Sequence, residues 1–322
     1  MKLIIQIPCL NEENTLPMTL AELPTHIDGV DEIEILVIDD GSTDRTAEVA
    51  RAHGVHHVAR HDINKGLATA FQTGLHTALL QGADIIVNTD ADNQYPGRFI
   101  PDLVRPILNR QADMVIGDRQ IDTIPHFSPV KKRLQKAGSW VVRVVSNTDV
   151  ADAPSGFRAM TREAALRLNI FTNYTYTLET IIQAGKKNLT VVSVPIETNP
   201  KQRESRLIRS TSRYVIRSAL TILRIFMMYE PLRSFSLIAL PFAVVGMLLW
   251  LRYGVLWLLD ETARGSNIQS ITIGSALIII AFLVFLIGLV GEMISINRRL
   301  HEETLYYLKR ETLRKVKEGE QV

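Results

Sequence analysis

Two stretches without a single charged residue, Ser234–Leu251 and Ile271–Val290, constrain this chain more than any other feature. Each reaches the length an α-helix needs to cross a bilayer, and helices of soluble proteins seldom run so far without a charge. Two membrane helices are expected, joined by a short connection that carries Arg252, Asp260, Glu261 and Arg264. Arg224 and Arg233 precede the first run, and Arg298, Arg299, Lys309 and Arg310 follow the second. The positive-inside bias then predicts both ends in the cytoplasm. A chain of 322 residues leaves room for a soluble domain ahead of the spans. Leu3–Ile7 is apolar but short, and Glu12 and Glu13 follow at once, which fits a first strand better than a signal peptide or anchor. One cysteine, Cys9, cannot form an internal disulfide and suits a reduced cytosolic domain.

Ahead of the spans, short apolar runs at Leu3–Ile7, Ile33–Ile38, Ile85–Val87 and Met114–Ile116 read as strands. Between them, Thr43–Ala52, capped by Ser42 or Thr43, and Gly66–Leu80, with Leu67, Ala70, Phe71, Gly74 and Leu75 on one side, read as helices. Such alternation implies parallel strands with right-handed crossovers, a nucleotide-binding type of sheet. Further on, Ile121–Pro129 reads as an exposed loop, Lys131–Ser146 as a basic helix and Val191–Ile196 as another strand. Arg206, Arg209, Arg213, Arg217 and Arg224 fall within roughly 80° of one helix face at about 100° per residue. With apolar residues over the remainder, this is the pattern of an amphipathic helix lying in a membrane interface. The expected organisation is a catalytic domain over 1–200, a basic amphipathic juxtamembrane segment over 201–233, a transmembrane hairpin over 234–297 and a charged cytoplasmic tail over 298–322.

Three acidic clusters converge on the carboxyl edge of the predicted sheet: Asn11-Glu12-Glu13, Asp39-Asp40-Gly41-Ser42 and Asp90-Ala91-Asp92. Unpaired, these carboxylates repel one another, and a metal or a hydrogen-bonded sugar and base is the natural compensation. Carboxylate oxygens are the ligands that Mg²⁺ or Mn²⁺ prefers, and a metal at this edge would grip a diphosphate.

The segments Pro8–Glu13, Asp39–Ser42, Asp90–Asp92 and Ser155-Gly156-Phe157-Arg158 together resemble the inverting GT-A glycosyltransferases of family 2. The two terminal spans narrow the resemblance to the polyprenyl-phosphate branch, which includes dolichyl-phosphate mannose synthases and undecaprenyl-phosphate hexose transferases. The resemblance implies a Rossmann-like, mostly parallel α/β domain. In it, Pro8, Asn11, Glu12 and Asp40 line the donor's nucleoside pocket, and Asp90, Asp92 and Gln94 serve the donor and a Mg²⁺ or Mn²⁺ ion. Arg119, Arg133, Ser155 and Arg158 take the acceptor lipid phosphate, and Asp152 orients the acceptor or acts as a base. Arg203 and Arg206 belong to a basic loop over the donor phosphates. The chain departs from the family pattern at Ala137, where a serine is common, at Glu204, where a glycine is common, and at Arg206, where lysine is usual.

The expected function is therefore inverting transfer of a hexose or N-acetylhexosamine from a nucleotide-sugar, UDP favoured over GDP, to a polyprenyl phosphate. The expected protein is integral to the membrane, with its catalytic domain and both termini cytoplasmic and no nucleic-acid partner. Related enzymes can assemble as homo-oligomers through their membrane helices. A processive polysaccharide synthase and a noncatalytic nucleotide-sugar sensor or scaffold are the alternatives. Glu179 is open to a sugar contact, a bracing role or a helix surface. His53, His56, His57 and His61 lack metal-site spacing. Glu292 is expected to snorkel or pair with Arg298 or Arg299.

Overall fold

A computed structural model describes residues 1–121, 129–170, 176–200, 216, 219–220, 223–224, 226–259 and 268–318, apart from the side chains of 129–131, 134 and 317. Contacts divide the chain into two units, Met1–Ile222 with Thr304–Val322, and Leu223–Glu303.

The first unit is built on seven strands. β1 (Lys2–Cys9), β2 (Glu32–Asp39), β4 (Ile85–Asn88), β5 (Met114–Asp118) and β7 (Val191–Pro195) arise from the apolar runs; β1, β4, β5 and the second half of β2 are buried, while β7 at the sheet edge is half-buried. Two strands were not anticipated. β3 (His57–Arg60) is a partly exposed edge strand with polar ends, and β6 (Arg158–Thr161) is four residues flanked by an arginine and a threonine. The order is β3-β2-β1-β4-β6-β5-β7, with β6 antiparallel to both neighbours and every other pairing parallel. From β1 the sheet grows first toward β3 and then back through β4. The carboxyl ends of β1 and β4 thus flank the topological switch point where α/β sheets gather ligands.

The helices α1 (Leu16–Ala21), α2 (Thr46–Ala52), α3 (Leu67–Leu80) and α4 (Ile100–Leu108) cross between these strands. In α4, Ile100, Leu103, Val104 and Ile107 repeat at three and four and pack into the core with Leu3, Ile5, Ile7 and Val115. α2 starts three residues later than its sequence pattern suggested. Its N-cap position is Arg45, which makes no side-chain cap, and Asp44 just ahead of it accepts from the Thr46 amide at 3.0 Å through Oδ1. Beyond β5 come α5 (Pro129–Ser146), α6 (Arg162–Arg167) and α7 (Thr177–Lys186).

The second unit contains most of two long helices, α8 (Pro231–Leu259) and α9 (Ile268–Glu318). Both are long and apolar enough to cross a membrane, and only 17% of the most apolar stretch of each is buried, unlike a core helix. They approach closely at Gly246 and Gly274, where a β-carbon on either would meet the other's carbonyl oxygen at 2.9 or 3.0 Å. Trp250 Nε1 donates to Ser275 Oγ at 3.2 Å. Arg298, expected near Glu292, pairs instead with Glu302 at 3.5 Å and lies 3.8 Å over the Tyr229 ring, while Arg299 Nη2 donates to the Tyr229 carbonyl.

The segment expected as a charged tail is helical and continuous with α9. Its residues from Thr304 onward belong to the first unit. Tyr306 Oη donates to Glu163 at 3.1 Å, the Arg167 guanidinium covers the Tyr306 ring, and Lys309 Nζ donates to the Leu168 carbonyl at 3.3 Å and Asn169 Oδ1 at 2.8 Å. A lysine at the open carbonyls of α6 is a favourable end to that helix.

Candidate active site

Four segments meet at the carboxyl edge of β1, β2, β4 and β5. Pro8 lies within β1, opposite Ile38. Beyond it, Asn11 adopts φ +55° and ties the β1 loop to the β2 loop: its amide donates to Ser42 Oγ at 2.9 Å, and its Oδ1 accepts from the Thr43 amide at 2.8 Å. The Glu12 amide donates to Thr46 Oγ1, and its buried carboxylate accepts from Thr15 Oγ1 at 2.5 Å.

Asp40, expected in the nucleoside pocket, is tied to the chain around it. Its carboxylate is 3% exposed and accepts from His61 Nδ1 at 2.7 Å and from the Lys65 and Gly66 amides at 2.9 Å each. These donors belong to the loop that opens α3, so Asp40 fixes that loop against the end of β2. His61 Nε2 lies 3.0 Å from Thr73 Oγ1, which fixes the ring from its other side.

At the end of β4, Asp90 is partly exposed but closely surrounded, and its pKa rises from 3.8 to about 7. Burial is the largest cause, followed by the neighbouring charge of Asp92, against the lowering pull of Arg119 and Arg158. Asp92 is half-buried, and its Oδ1 accepts from the Gln94 amide at 3.1 Å. Among the described residues no group of three His, Cys, Asp or Glu side chains converges on one point. Two carboxylates with more negative charge than the protein neutralises do fit a Mg²⁺ or Mn²⁺ ion, which commonly takes one or two carboxylates and completes its shell from substrate phosphate and water.

That charge imbalance predicts how stability responds to pH and metal. Asp90 keeps a proton that the unfolded chain releases near pH 4, so the linked stability is full at low pH and is lost as pH rises through about 7. With a chelator present, the thermal midpoint should fall between about pH 5 and about pH 8, and Mn²⁺ should reverse more of the fall at the higher pH. A midpoint unaffected by Mn²⁺ at either pH would contradict a metal at this strand end.

Asp90 is framed by Gly156, which the sequence did single out, and by Asn88, Tyr95 and Tyr176, which it did not. Asn88, two residues earlier on β4, accepts from Gln6 Nε2 at 2.9 Å and donates Nδ2 to the Gly156 carbonyl and to Tyr176 Oη, each at 2.9 Å. The Gly156 amide donates to Tyr95 Oη at 3.2 Å. Tyr95 stacks on Phe157, and Tyr176 stacks on Phe71 at 3.8 Å. Burial lifts the phenol of Tyr95 to about 12 and that of Tyr176 well above its ordinary value, so both stay protonated donors. The available signal was position alone: a polar residue closing an apolar strand, on the same side as Asp90.

Gly156 has a steric reason. A β-carbon there would sit 3.1 Å from both Asp90 oxygens and 3.0 Å from Tyr176 Oη. Gly156→Ala should cost about 1–3 kcal/mol by overpacking and should raise the donor KM more than it lowers stability-corrected kcat. An unchanged donor KM, read in steady-state assays, would mean that Asp90 is not the group displaced.

Arg119 and Asp152 form a two-point pair, Arg119 Nε and Nη2 donating to Asp152 Oδ2 and Oδ1 at 2.6 and 2.9 Å. Asp152 is fully buried and Arg119 only 9% exposed. Both oxygens of Asp152 thus accept from Arg119, a poor arrangement for a base and a good one for fixing a guanidinium. Ser139, near the departure at Ala137, accepts from the Ala153 amide at 3.2 Å and fastens α5 to this loop. Ser155 Oγ is buried and finds no hydrogen-bond partner among the described residues.

Arg158, expected at the acceptor phosphate, is bonded within the protein. Its side chain is fully buried, donates to the Thr177 and Ser155 carbonyls and to Thr180 Oγ1, and lies 5.2 Å over the Tyr176 ring. It braces the loop that carries Gly156 and acts on Asp90 through its charge. Arg133 is exposed on α5. Glu179 is buried and accepts from Gln183 at 3.3 Å, which removes the helix-surface reading. Arg203 and Arg206 lie outside the described residues.

The sequence model of glycosyl transferase family 2 matches residues 4–168. An undecaprenyl-phosphate mannosyltransferase of Micrococcus luteus is 28% identical over 206 residues, covering 61% of this chain and 83% of its own. A UDP-N-acetylglucosamine–dolichyl-phosphate N-acetylglucosaminyltransferase of Methanococcus voltae is 29% identical over 214 residues, 60% of this chain and 83% of its own. Among solved structures, glucosyl-3-phosphoglycerate synthase of Mycobacterium tuberculosis in complex with Mn²⁺, UDP and glucosyl-3-phosphoglycerate superposes with a TM-score of 0.52 at 24% identity. That match covers 69% of this chain and 79% of the synthase, and at this identity it shows the shared GT-A fold.

Proposed function

Because the chain belongs to glycosyl transferase family 2, we propose that it moves a hexose or N-acetylhexosamine from a nucleotide-sugar, UDP favoured over GDP, to a polyprenyl phosphate. One observation carries this reading: the paired carboxylates at the end of β4 and the Asp152-clamped cation Arg119 at the end of β5 act on one another electrostatically. A donor diphosphate and an anionic acceptor need such neighbouring sites of opposite charge. The Methanococcus and Micrococcus relatives support the acceptor class by their names, and the former, with the UDP-bound synthase, supports UDP.

The acceptor phosphate attacks the anomeric carbon as the bond to the departing nucleoside diphosphate breaks, so an α-linked donor yields a β-linked lipid product. No protein base is required, because the second ionisation of a phosphate monoester lies near about 6. Arg119, held by Asp152, orients the attacking phosphate and offsets its charge, and the unpartnered hydroxyl of Ser155 is a further donor for it. Arg133, Arg203 and Arg206 supply additional cations in this reading. Asp90, Asp92 and Gln94 would hold Mg²⁺ or Mn²⁺, which when bound supplies Lewis-acid stabilisation of the leaving diphosphate. The cations flanking both spans support a cytoplasmic catalytic domain and cytoplasmic termini, with the juxtamembrane segment over 201–233. Purified protein offered UDP- and GDP-sugars with Mg²⁺ or Mn²⁺ should glycosylate a polyprenyl phosphate. Failure with every donor would refute the assignment.

A further inference from the structure

Tyr176 carries a hydroxyl proton for which the protein offers only a poor acceptor. Its ring is fixed, stacked on Phe71 at 3.8 Å with the Arg158 guanidinium 5.2 Å over it. Its oxygen lies 2.9 Å from Asn88 Nδ2, and the same nitrogen lies 2.9 Å from the Gly156 carbonyl. A carbonyl can only accept, so the end of Asn88 that faces it is the amide NH₂, and Tyr176 Oη must accept from it as well. Gln6 Nε2, donating to the other end of Asn88 at 2.9 Å, holds the amide in this sense. The phenol's own proton is thereby turned away from Asn88. Among the described residues its acceptor is the Gly156 carbonyl at 3.5 Å, long against about 2.8 Å for a good O–H···O bond. At 1% exposure Tyr176 cannot give this proton to bulk water. A buried donor matched so poorly costs stability and calls for a reason.

Asp90 supplies one. Tyr176 Oη and both Asp90 oxygens lie within 3.1 Å of a single point, the place a β-carbon on Gly156 would take. Because residue 156 is glycine, no side chain parts the phenol from the carboxylate, and a turn of Asp90 toward Tyr176 meets the waiting proton.

We infer that Tyr176, aimed by Asn88, is a positioning residue for Asp90: its hydroxyl donates to one carboxylate oxygen and leaves the other turned toward a divalent metal. Groups that hydrogen-bond a ligating carboxylate fix its orientation, and their loss commonly weakens metal binding by about 10–100-fold. The inference rests on the reading of Asp90 and Asp92 as the metal's carboxylates and adds the group that orients one of them. A Tyr176 that only ties β4 to α7 would affect folding and leave metal affinity alone.

Mn²⁺ binding separates these cases without recourse to activity. Free Mn²⁺ is read from its electron paramagnetic resonance signal as it is titrated into the full chain with UDP, against UDP alone as the blank. Tyr176→Phe keeps the stacked ring and leaves Asn88 its bond to Gly156, so the thermal midpoint should stay within about 4 °C of the parent's. Its Mn²⁺ affinity should nevertheless fall roughly tenfold. Asn88→Asp keeps Tyr176 but offers its hydroxyl a carboxylate in place of a donating amide. The proton then turns toward residue 88, and Mn²⁺ affinity should fall here too. Should Asn88→Asp fail to fold, Tyr176→Phe decides alone. A Tyr176→Phe protein that binds Mn²⁺ as tightly as the parent overturns the inference and leaves the metal reading standing. A parent that takes up no more Mn²⁺ than the UDP blank removes the metal reading and the inference with it.

Discussion

Asp92→Ala should lower kcat/KM for sugar transfer by roughly 10³-fold, because it removes a carboxylate placed to hold a metal against the developing charge of the leaving diphosphate. The folded protein should barely notice. Asp92 is half-buried and accepts one short-range amide bond, from Gln94, so the thermal midpoint should stay within about 2 °C of the parent's. Asp90 provides the contrast. Its carboxyl is strained by burial and by Asp92, so Asp90→Asn should raise the metal-free midpoint near pH 8 while also abolishing transfer. A noncatalytic scaffold would keep its cellular role in the Asp92→Ala protein, and a cell that retains the phenotype with this variant alone would favour that alternative.

Arg119→Ala should act on both stability and chemistry. It strands the fully buried Asp152 without the guanidinium that meets both its oxygens, at a cost of about 3–5 kcal/mol. It also removes the cation nearest the proposed acceptor phosphate, with an expected loss in kcat/KM of roughly 10²–10³-fold. The two effects separate in the double variant Arg119→Met/Asp152→Leu. Replacing a buried pair with apolar residues is often close to neutral, so urea unfolding should return toward the parent midpoint while transfer remains lost. Recovery of activity with stability would make the pair a packing device only.

The parts of the fold legible in the sequence are those in which one physical demand dominates a contiguous stretch. β1, β2 and β4 are buried runs of aliphatic residues, and the spans are charge-free. β3 was hidden because an edge strand needs little apolar burial, and β6 because its Arg158 reads as a surface or ligand charge until Thr177, Thr180 and Tyr176 are brought around it. Composition showed the tail after Arg298 as charged but not what holds it. Within it Tyr306, Lys309 and Leu313 recur at three and four, and their contacts or burial keep this stretch helical on the first unit.

The candidate site divides in the same way. Asp90 and Asp92 were visible as paired acids at a strand end, and Arg119 as a cation after another. Gly156 was visible in its motif, but the polar frame around it was not, because Gln6, Asn88, Tyr95 and Tyr176 are brought together from distant parts of the chain. Asp40 was visible as an acid at a strand end, but its protein partners were not: the amides of Lys65 and Gly66 reach it from 25 and 26 residues away.

The most direct measurement is the anomeric configuration and attachment point of the product formed from an α-linked UDP-sugar and a polyprenyl phosphate by the purified full chain. The proposed attack predicts a β-linked sugar bonded through the lipid phosphate oxygen. An α-linked product, or free sugar released with UDP while the lipid phosphate stays unmodified, would contradict it.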